Sequence, residues 1–305
     1  MYAPPPLIET QVFARLPDEF RKTERGNSEW FRHQPGHLSA HSLLEGPSFD
    51  SEGRLYCVDI PWGRVFRVDK AGNFELVAEY DGEPNGLKIH RDGRIFITDY
   101  KHGIVLLDPD TGKVTPILER VRLERLKAVN DLVFASNGDL YFTDQGLSGL
   151  HDPTGRVFRL RADGRVDCLL DNVPSPNGIV LDLSEQTLFV AVTRANAIWR
   201  VPFSSEGAVA KVGTFIQLSG GGGPDGLAID EQGNIAVAHV GIGAVWQFTA
   251  RGEPIARIQS HVGHHTTNIA YGGPGRKTLF ITESESGSIL TADMPVAGAR
   301  MFSGV

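Results

Sequence analysis

Six short polar residues recur along the chain, and each precedes two apolar segments joined by a polar turn. They are Glu45, Asn85, Asn130, Asn177, Asp225 and Asn268. Each carries a side-chain oxygen and two are carboxylates, which is the donor chemistry that hard cations such as Ca²⁺ prefer. Two carboxylates brought together in a fold would repel each other unless a cation lay between them. The residue types therefore predict a metal site made of oxygen ligands.

The segments behind these residues repeat with a period of about 40 to 48 residues, as in 45–59 (EGPSFDSEGRLYCVD) and 130–144 (NDLVFASNGDLYFTD). A repeat of this length with several short strands is typical of a β-propeller blade. The first strand of each blade lines the central axis, so the six polar residues should converge there. We therefore expect an all-β, six-bladed β-propeller with a central metal channel. The predicted blades span about 45–84, 85–129, 130–176, 177–224, 225–266 and 267–298.

Residues 1–44 are expected to close the ring of blades and to cover one of its faces. Residues 7–16 (LIETQVFARL) alternate apolar and polar side chains, which predicts a strand that pairs with the last blade. Closure by the C-terminal stretch 299–304 (ARMFSG) is the alternative. Residues 17–44 show no sustained period and are expected to form a lid-like segment. Together with the blades, this organisation predicts a single domain over residues 1–305.

Three histidines of the lid-like segment, His33, His37 and His41, stand four residues apart, as residues on one face of a helix do. The Gln-Pro-Gly that follows the first of them disfavours a helix there. We interpret the three as lid residues rather than as a second metal site, and we expect His41 to lie near the channel mouth as a substrate contact.

Composition and charge narrow the possible partners and the compartment. The 305 residues include 22% charged residues with a net charge of −7 and no basic block, so no nucleic-acid partner is expected. No run approaches the roughly 20 apolar residues of a membrane helix. Cys57 and Cys168 lie in apolar strand contexts and are interpreted as buried free thiols. The N-terminus lacks a secretory pattern, and we expect a cytoplasmic protein that is a monomer or a small homo-oligomer.

Antiparallel pairing places the ends of the second strands on the same face as the polar ring. These ends carry Asp59, Asp99, Asp144, His239 and Glu283. The loops beyond them should shape the channel mouth, and the candidate substrate contacts on this face are Trp62, Tyr100, Arg194 and His239. One of His264 and His265 is expected to face the channel. Structural alternatives stay open, since Trp62 could pack between blades and any single Asn or Asp could simply cap a loop.

Several blocks resemble a known family. Residues 45–69 (EGPSFDSEGRLYCVDIPWGRVFRVD) resemble the opening of the gluconolactonase, regucalcin (senescence marker protein) and luciferin-regenerating-enzyme family. The later blocks NDLVFASNGDLYFTD, PNGIVLD, PDGLAID and TNIAYGGPGRKTLFIT are similar to that family's motifs in the same order. The resemblance covers about residues 35–298.

The resemblance implies a six-bladed propeller with one divalent metal in the channel and an enzyme that opens lactones. Carried over by position, the metal ligands would be Glu45, Asn130, Asn177 and Asp225. Asn85 would be a substrate contact beside them, and Asn268 would belong more to the framework. The all-oxygen set favours Ca²⁺, while Mg²⁺, Mn²⁺, Fe²⁺ and Zn²⁺ are alternatives.

The expected reaction is attack of water on a lactone carbonyl that the cation polarises. Asp225 is the expected base. Asp131 and a hydroxide held by the cation are the rivals, and Asp131 could equally be a framework carboxylate. No GxSxG motif occurs, which disfavours a serine nucleophile.

Alternatives to a sugar lactonase follow from the same residues. The side chains expected at the mouth, among them Tyr100, Trp62 and Arg194, suit an aromatic or acidic lactone better than a neutral sugar. A hydrolase of an activated ester or phosphotriester on the same metal is a second possibility. A non-catalytic propeller that binds a partner and holds a structural metal is a third.

Overall fold

The computed structural model describes residues 4–24, 26–34 and 41–304, and most regular structure in these ranges is β-strand. Six main sheets are arranged as the blades of a propeller around a central channel. The predicted all-β, six-bladed β-propeller is thereby confirmed. No helix among the described residues is long and apolar enough to cross a membrane.

The segment before the blades and the first three blades contain the following elements. The segment has β1 (Leu7–Glu9), β2 (Gln11–Arg15), a 3-10 turn (Asp18–Phe20) and helix α1 (Glu29–Arg32). Blade 1 has β3 (Leu44–Phe49), β4 (Leu55–Asp59), a 3-10 turn (Ile60–Trp62), β5 (Arg64–Val68) and β6 (Phe74–Glu79). Blade 2 has β7 (Pro84–Ile89), β8 (Ile95–Asp99), β9 (Gly103–Leu107) and β10 (Val114–Leu118), followed by a hairpin of β11 (Arg120–Val121) and β12 (Glu124–Arg125). Blade 3 has β13 (Val129–Phe134), β14 (Leu140–Asp144), β15 (Gly155–Leu160) and β16 (Val166–Val173).

The last three blades continue in the same way. Blade 4 has β17 (Pro176–Leu181), β18 (Thr187–Val192), a 3-10 turn (Thr193–Ala195), β19 (Ala197–Pro202) and β20 (Gly213–Gln217). Blade 5 has β21 (Gly223–Ile229), β22 (Ile235–Val240), β23 (Ala244–Phe248) and β24 (Pro254–Gln259). Blade 6 has β25 (Thr266–Gly272), a 3-10 turn (Pro274–Arg276), β26 (Thr278–Glu283) and β27 (Ser288–Asp293).

Neighbouring blades pack face to face through branched apolar side chains. Between blades 1 and 2, for example, Val58, Val65, Leu87 and Ile97 are completely buried in one cluster. Burying each such side chain stabilises the fold by about 1.5–3 kcal/mol relative to leaving it exposed. Because both faces of a blade are covered, its second strand is a short, nearly continuous apolar run such as Leu55–Asp59 (LYCVD).

The N-terminal strands join the last two blades. β2 pairs antiparallel with β27 and becomes the outer strand of blade 6. β1 pairs parallel with β24 at the outer edge of blade 5. The C-terminal stretch instead crosses the lower end of the channel, where the inner strands finish. There the Ala299 N–H donates to Ile229 O at 3.0 Å, and Phe302 stacks on Phe134 with ring centroids 4.8 Å apart.

Buried carboxylates at the ends of the second strands fix the loops of the upper face. Asp144 accepts the backbone N–H groups of Lys127 and Ala128 at 2.7 and 2.9 Å, and Arg156 Nε donates to its second oxygen at 2.8 Å. Asp99 accepts four hydrogen bonds from surrounding backbone N–H groups and the Tyr80 hydroxyl, at 2.7–2.9 Å. These satisfied carboxylates hold the segments that shape the channel mouth.

Helix α1 is fastened over the mouth by polar contacts at its first turn. The Trp30 N–H donates to Glu83 Oε1 at 3.0 Å, and the Phe31 N–H donates to Ser28 Oγ at 3.2 Å. Trp30 and Phe31 are buried in a cluster that also contains Leu43 and Ile60. The helix therefore brings an aromatic wall to the upper face.

The two cysteines occupy different environments. Cys57 is completely buried, and burial raises the pKa of its thiol. Cys168 lies on β16, an outer strand, and is exposed. The prediction that both are buried is therefore wrong for Cys168, because an outer blade strand has one uncovered face.

Candidate active site

Strand register places the polar ring at one level of the channel. In blade 1 Leu44 pairs with Asp59, the last residue of the second strand, and Glu45 follows directly. In blade 5 Pro224 pairs with His239, and Asp225 follows. The same position in blades 2, 3 and 4 is occupied by Asn85, Asn130 and Asn177. These five polar side chains therefore meet at the upper end of the channel, as their periodic spacing predicts.

The sixth position of this ring is Thr267, not Asn268. In blade 6 Thr266 pairs with Glu283, the last residue of the second strand, so Thr267 is the equivalent of Glu45 and Asp225. Asn268 lies one residue further along the strand, at the level of Asp131 in blade 3. The sequence prediction aligned the repeats by residue type and therefore chose Asn268, which lies one position too far along the strand in blade 6.

The level below the ring explains why Gly follows the ring residue in four blades. The inner strands converge so closely that a Cβ atom at Gly86 would lie 2.7 Å from Asp131 Oδ1. At Gly226 it would lie 2.0 Å from Asn268 Oδ1. Only Asp131 and Asn268 carry polar side chains at this level, and they fill the space that the glycines leave. The Asn-Gly and Asp-Gly pairs therefore reflect crowding at the axis rather than turns.

Three carboxylates come close together at these two levels. Asn268 Nδ2 donates to Glu45 Oε2 at 2.8 Å and lies 3.5 Å from Asp131 Oδ2. Burial, together with the charges of Asp225 and Asp131, raises the pKa of Glu45. Burial and the charge of Asp131 likewise raise the pKa of Asp225 to about 8. The ionised forms of Glu45 and Asp225 are therefore disfavoured, which is the electrostatic condition that a bound cation would relieve.

The donor set also fits a hard cation. Asn177 Oδ1 is buried and has no hydrogen-bond partner among the described residues. A buried polar atom without a partner costs free energy, and this one belongs to a residue that lines the chamber. Asn130 Nδ2 donates to Gln145 Oε1 at 3.1 Å, so its own carbonyl oxygen is not used there. Among the described residues no group of three His, Cys, Asp or Glu side chains is arranged to hold a metal ion, so amide oxygens would have to complete the donor set. The residues present are all oxygen donors and suit Ca²⁺ better than Zn²⁺.

The ring opens into a chamber of about 170 Å³ below the channel mouth. Its floor is formed by Glu45, Asn85, Asn130, Asn177, Asp225 and Thr267. Its walls include Trp30, Gln34, Tyr100, Gln145, Arg194 and His265. A chamber of this size holds a single small ring or its equivalent, since pockets for larger ligands occupy roughly 300–1,000 Å³.

Tyr100 and Gln145 form a fixed polar wall beside the ring. The Tyr100 hydroxyl donates to Gln145 Oε1 at 2.7 Å, and Gln145 Nε2 donates to Ser175 Oγ at 2.9 Å. Burial raises the pKa of Tyr100, so its hydroxyl stays a hydrogen-bond donor at neutral pH. Gln145 was not among the predicted contacts, although it directly follows Asp144 at the end of a second strand, where such contacts were expected. Tyr100 and Arg194 lie where the sequence placed them.

Three other predicted substrate contacts, His239, Trp62 and His41, lie outside the chamber. His239 is turned to the flank between blades 4 and 5, where its Nε2 lies 3.0 Å from Gly220 O and burial lowers its pKa. Trp62 packs against Phe31 of helix α1 with ring centroids 5.7 Å apart, and Trp30 supplies the aromatic wall instead.

The histidines of the N-terminal segment do not form a cluster at the ring. His41 lies against blade 6, where its Nδ1 is 2.6 Å from Ser42 Oγ and its Nε2 is 2.9 Å from Glu285 O. His33 lies at the end of α1 and lines the outer part of the mouth. His37 lies outside the described residues. Further along the chain, His265 lines the chamber, in agreement with the expectation that one of the two adjacent histidines faces the channel.

Fold and site together define a six-bladed propeller whose channel ends in a buried ring of oxygen donors. The family described as SMP-30/Gluconolactonase/LRE-like region matches residues 43–285 of the chain. The protein belongs to this family, and the resemblance inferred from the sequence blocks is confirmed.

Individual relatives are similar over most of their length. Lactonase drp35 of Staphylococcus aureus (strain bovine RF122 / ET3-1) is 34% identical over 227 residues, which are 70% of this chain and 69% of the relative. The calcium-binding protein regucalcin of Agrobacterium tumefaciens strain C58 is 24% identical, with a TM-score of 0.75 over 96% of this chain and 97% of that one. A gluconolactonase of Xanthomonas campestris, XC5397, is 23% identical, with a TM-score of 0.74 over 83% and 86%. The two structural likenesses show the shared fold.

Proposed function

We propose that this protein is a hydrolase that opens a lactone at a divalent cation held by the polar ring. The observation that carries the proposal is the convergence of Glu45, Asn130, Asn177 and Asp225 from four blades, with one buried amide oxygen that has no hydrogen-bond partner in the described part of the chain. Membership of this family and the similarity to a lactonase that is 34% identical to this chain support the reaction class. Ca²⁺ is the proposed cation, because all the donors are oxygen atoms.

Glu45, Asn130, Asn177 and Asp225 would hold the cation. When bound there, it would supply positive charge that polarises a lactone carbonyl and stabilises negative charge developing on the carbonyl oxygen. Removal of the lactone from bulk water strengthens this effect, and Trp30 and Tyr100 provide the walls that exclude water.

Asp225 is the residue that we assign to proton transfer. Its carboxylate takes a proton from the water molecule whose oxygen attacks the carbonyl carbon. The ring C–O bond then breaks, and the same proton passes from Asp225 to the alkoxide oxygen, so that water and lactone become one hydroxy acid. Asp131 is the weaker candidate, because its Oδ1 accepts the Leu132 N–H at 2.8 Å and it lies below the chamber floor.

The remaining chamber residues orient the lactone. Asn85 lies in the ring beside the four proposed ligands and faces the same chamber as Tyr100. Gln145 holds the Tyr100 hydroxyl in place through the 2.7 Å hydrogen bond. A lactone ring bound against these groups would present its carbonyl to the floor of the chamber.

Removal and return of the cation tests the proposal. Purified protein is treated with a chelator, and hydrolysis of simple γ- and δ-lactones is followed by the acid that each turnover releases. We expect turnover to disappear on chelation and to return with Ca²⁺, while the circular dichroism spectrum shows that the fold persists. Full turnover of the chelated, folded protein would overturn the metal-dependent mechanism.

A pair of asparagine variants sharpens this test. Asn177→Ala removes an oxygen from the ring, so we expect a higher Ca²⁺ concentration for half-maximal turnover. Asn73→Ala, at an exposed turn of blade 1, is the matched control and should leave that concentration unchanged. Ca²⁺ binding without turnover of any lactone, ester or phosphotriester would instead favour the non-catalytic binding module.

A further inference from the structure

A second, larger cavity continues the chamber to one side of the mouth. It has a volume of about 870 Å³ and shares five wall residues with the chamber: Trp30, Gln34, Tyr100, Gln145 and Arg194. We call it the side cavity. Because the two spaces share these walls, a ligand whose reacting ring lies in the chamber can extend directly into the side cavity.

The size of the side cavity exceeds what a simple lactone ring needs. The chamber of about 170 Å³ already accommodates a small ring. The side cavity lies within the range of roughly 300–1,000 Å³ that pockets for larger ligands occupy. A substrate that fills both spaces therefore carries an arm as well as a lactone ring.

The loop after β14 gives the side cavity an apolar wall. Leu147 and Leu150 line it and are 65% and 70% exposed. Two large apolar side chains that lie near each other in one loop and line one cavity indicate a contact surface rather than scattered exposure. Trp30 adds an aromatic face. The arm of the substrate is therefore expected to have an apolar stem.

Arg194 gives the side cavity a positive charge beside this wall. The residue is exposed, lines both cavities, and has no ion-pair or hydrogen-bond partner for its guanidinium within the described part of the chain. A Cβ atom at Gly149 would lie 3.9 Å from Arg194 Cγ, so the arginine stem packs against the leucine-bearing loop. A planar guanidinium in this state suits a carboxylate, which it can bind through two parallel hydrogen bonds.

The other charged groups of the side cavity are already engaged or lie at its rim. Lys127 Nζ donates to Thr154 O at 2.6 Å, and Glu83 accepts the Trp30 N–H. Glu29 is exposed in the first turn of α1, at the outer rim. Arg194 is therefore the charged group that is best placed to meet a substrate arm.

We infer that the substrate is a lactone with an apolar arm that ends in a carboxylate, and that Arg194 and the Leu147–Leu150 loop select for this arm. The inference rests on the proposed lactone hydrolysis and adds the substrate class. Because Arg194 acts in binding, its substitution should change mainly KM and leave kcat nearly unchanged.

Three synthetic γ-lactones separate the contribution of the carboxylate charge to kcat/KM from the contribution of the apolar stem. One carries a four-carbon arm that ends in a carboxylate, the second ends in the corresponding carboxamide, and the third is the unsubstituted ring. We expect kcat/KM for the carboxylate to exceed that for the carboxamide by about tenfold, mostly through KM, as a charge-assisted hydrogen bond provides. The advantage should shrink between about 0.1 and 1 M salt, because Arg194 is exposed.

Two variants assign the effect to residues. Arg194→Gln should abolish the preference for the carboxylate over the carboxamide. Leu150→Ser should instead lower kcat/KM for both of these substrates relative to the unsubstituted ring. Arg251→Gln, at an exposed turn of blade 5 remote from the mouth, is the matched control and should keep all three rates.

The outcomes distinguish this inference from the proposed function. If none of the three lactones is hydrolysed by the Ca²⁺-loaded protein, the proposed function fails. If the unsubstituted ring is hydrolysed but the carboxylate brings no gain, the substrate class is wrong and lactone hydrolysis stands. An equal loss for all three substrates in Arg194→Gln would also overturn the selective role of Arg194.

Discussion

Two sets of buried carboxylates lie on the same face of the propeller, and they differ in how many hydrogen bonds and ion pairs satisfy them. Asp144, at the end of a second strand, accepts two backbone N–H groups and pairs with Arg156. Glu45, at the start of an inner strand, accepts its neighbour's N–H at 2.6 Å and one amide of Asn268. Glu45 and Asp225 have no arginine or lysine as an ion-pair partner among the described residues, whereas the strand-end Asp59 and Asp144 each pair with an arginine.

This difference separates structural carboxylates from the candidate catalytic ones. A buried carboxylate with several donors stabilises the loops that supply those donors. A buried carboxylate that faces other carboxylates has a raised pKa and gains most from a ligand that brings positive charge. The same residue type on the same face thus serves architecture in one position and chemistry in another.

The largest effect is expected from Asp225→Asn. This change keeps the size of the side chain but removes the proposed base, so kcat/KM for a lactone should fall at least about 100-fold. Steady-state kinetics at saturating Ca²⁺ measures the loss. If more than about a tenth of the activity remained, a loss below about 1.4 kcal/mol of barrier, Asp225 would not be essential as the base.

Asp144→Asn should act on stability instead. It leaves Arg156, which is 9% exposed, with only the exposed Glu124 as an ion-pair partner, so the loss of stability should be at most about 3–5 kcal/mol, the cost of breaking a buried pair. Denaturant unfolding should report this loss, while the activity of each molecule that remains folded stays close to that of the parent protein. A stable variant that had lost its activity would contradict the division between the two sets.

Cation binding should weaken as the pH falls. Burial and Asp131 raise the pKa of Asp225 to about 8, and a carboxylate must lose its proton to bind a cation. Protons therefore compete below about pH 8, and the apparent affinity should fall by up to about tenfold per pH unit for each proton displaced. Calorimetric Ca²⁺ titrations at pH 6, 7 and 8 measure this slope. Asp225→Asn should reduce the slope, and an affinity that did not change with pH would contradict the raised pKa.

The smallest effect is expected from His239→Gln. His239 faces the flank of blades 4 and 5 and not the chamber, and glutamine can still donate to Gly220 O. The kcat/KM for a lactone should change by less than about twofold, which is about 0.4 kcal/mol of barrier. A tenfold loss in a normally folded variant would show that His239 takes part in the active site.

Much of the fold could be predicted because the repeat is visible as spacing. Glu45, Asn85, Asn130, Asn177 and Asp225 were matched across blades by residue type, and register confirms that these five share one level. In blade 6, matching by residue type predicts Asn268, whereas the ring residue is Thr267. A shift of one residue changes the direction in which a strand side chain points, and only the pairing of Thr266 with Glu283 fixes that register.

The walls of the site were harder to predict than its floor. Inner strands obey the repeat, so floor residues can be aligned, but each loop has its own length and path. Tyr100 and Arg194 were correctly placed at the mouth, whereas Trp62 and His239 were not. Trp30 and Gln34 reach the chamber from a segment without any period, and no sequence signal indicated their position.

The sequence by itself determined the number of blades, the level of most ring residues and the oxygen chemistry of the site, because all three depend on residue type and regular spacing. The tertiary structure decided which side chains at that level remain unsatisfied, which loop residues turn into the chamber, and how the side cavity joins it. These properties depend on distances between atoms that are far apart in the chain. Among the described residues, Asn177 Oδ1 has no hydrogen-bond partner and the Arg194 guanidinium forms no ion pair, and both facts become visible only when every neighbouring blade and loop is in place.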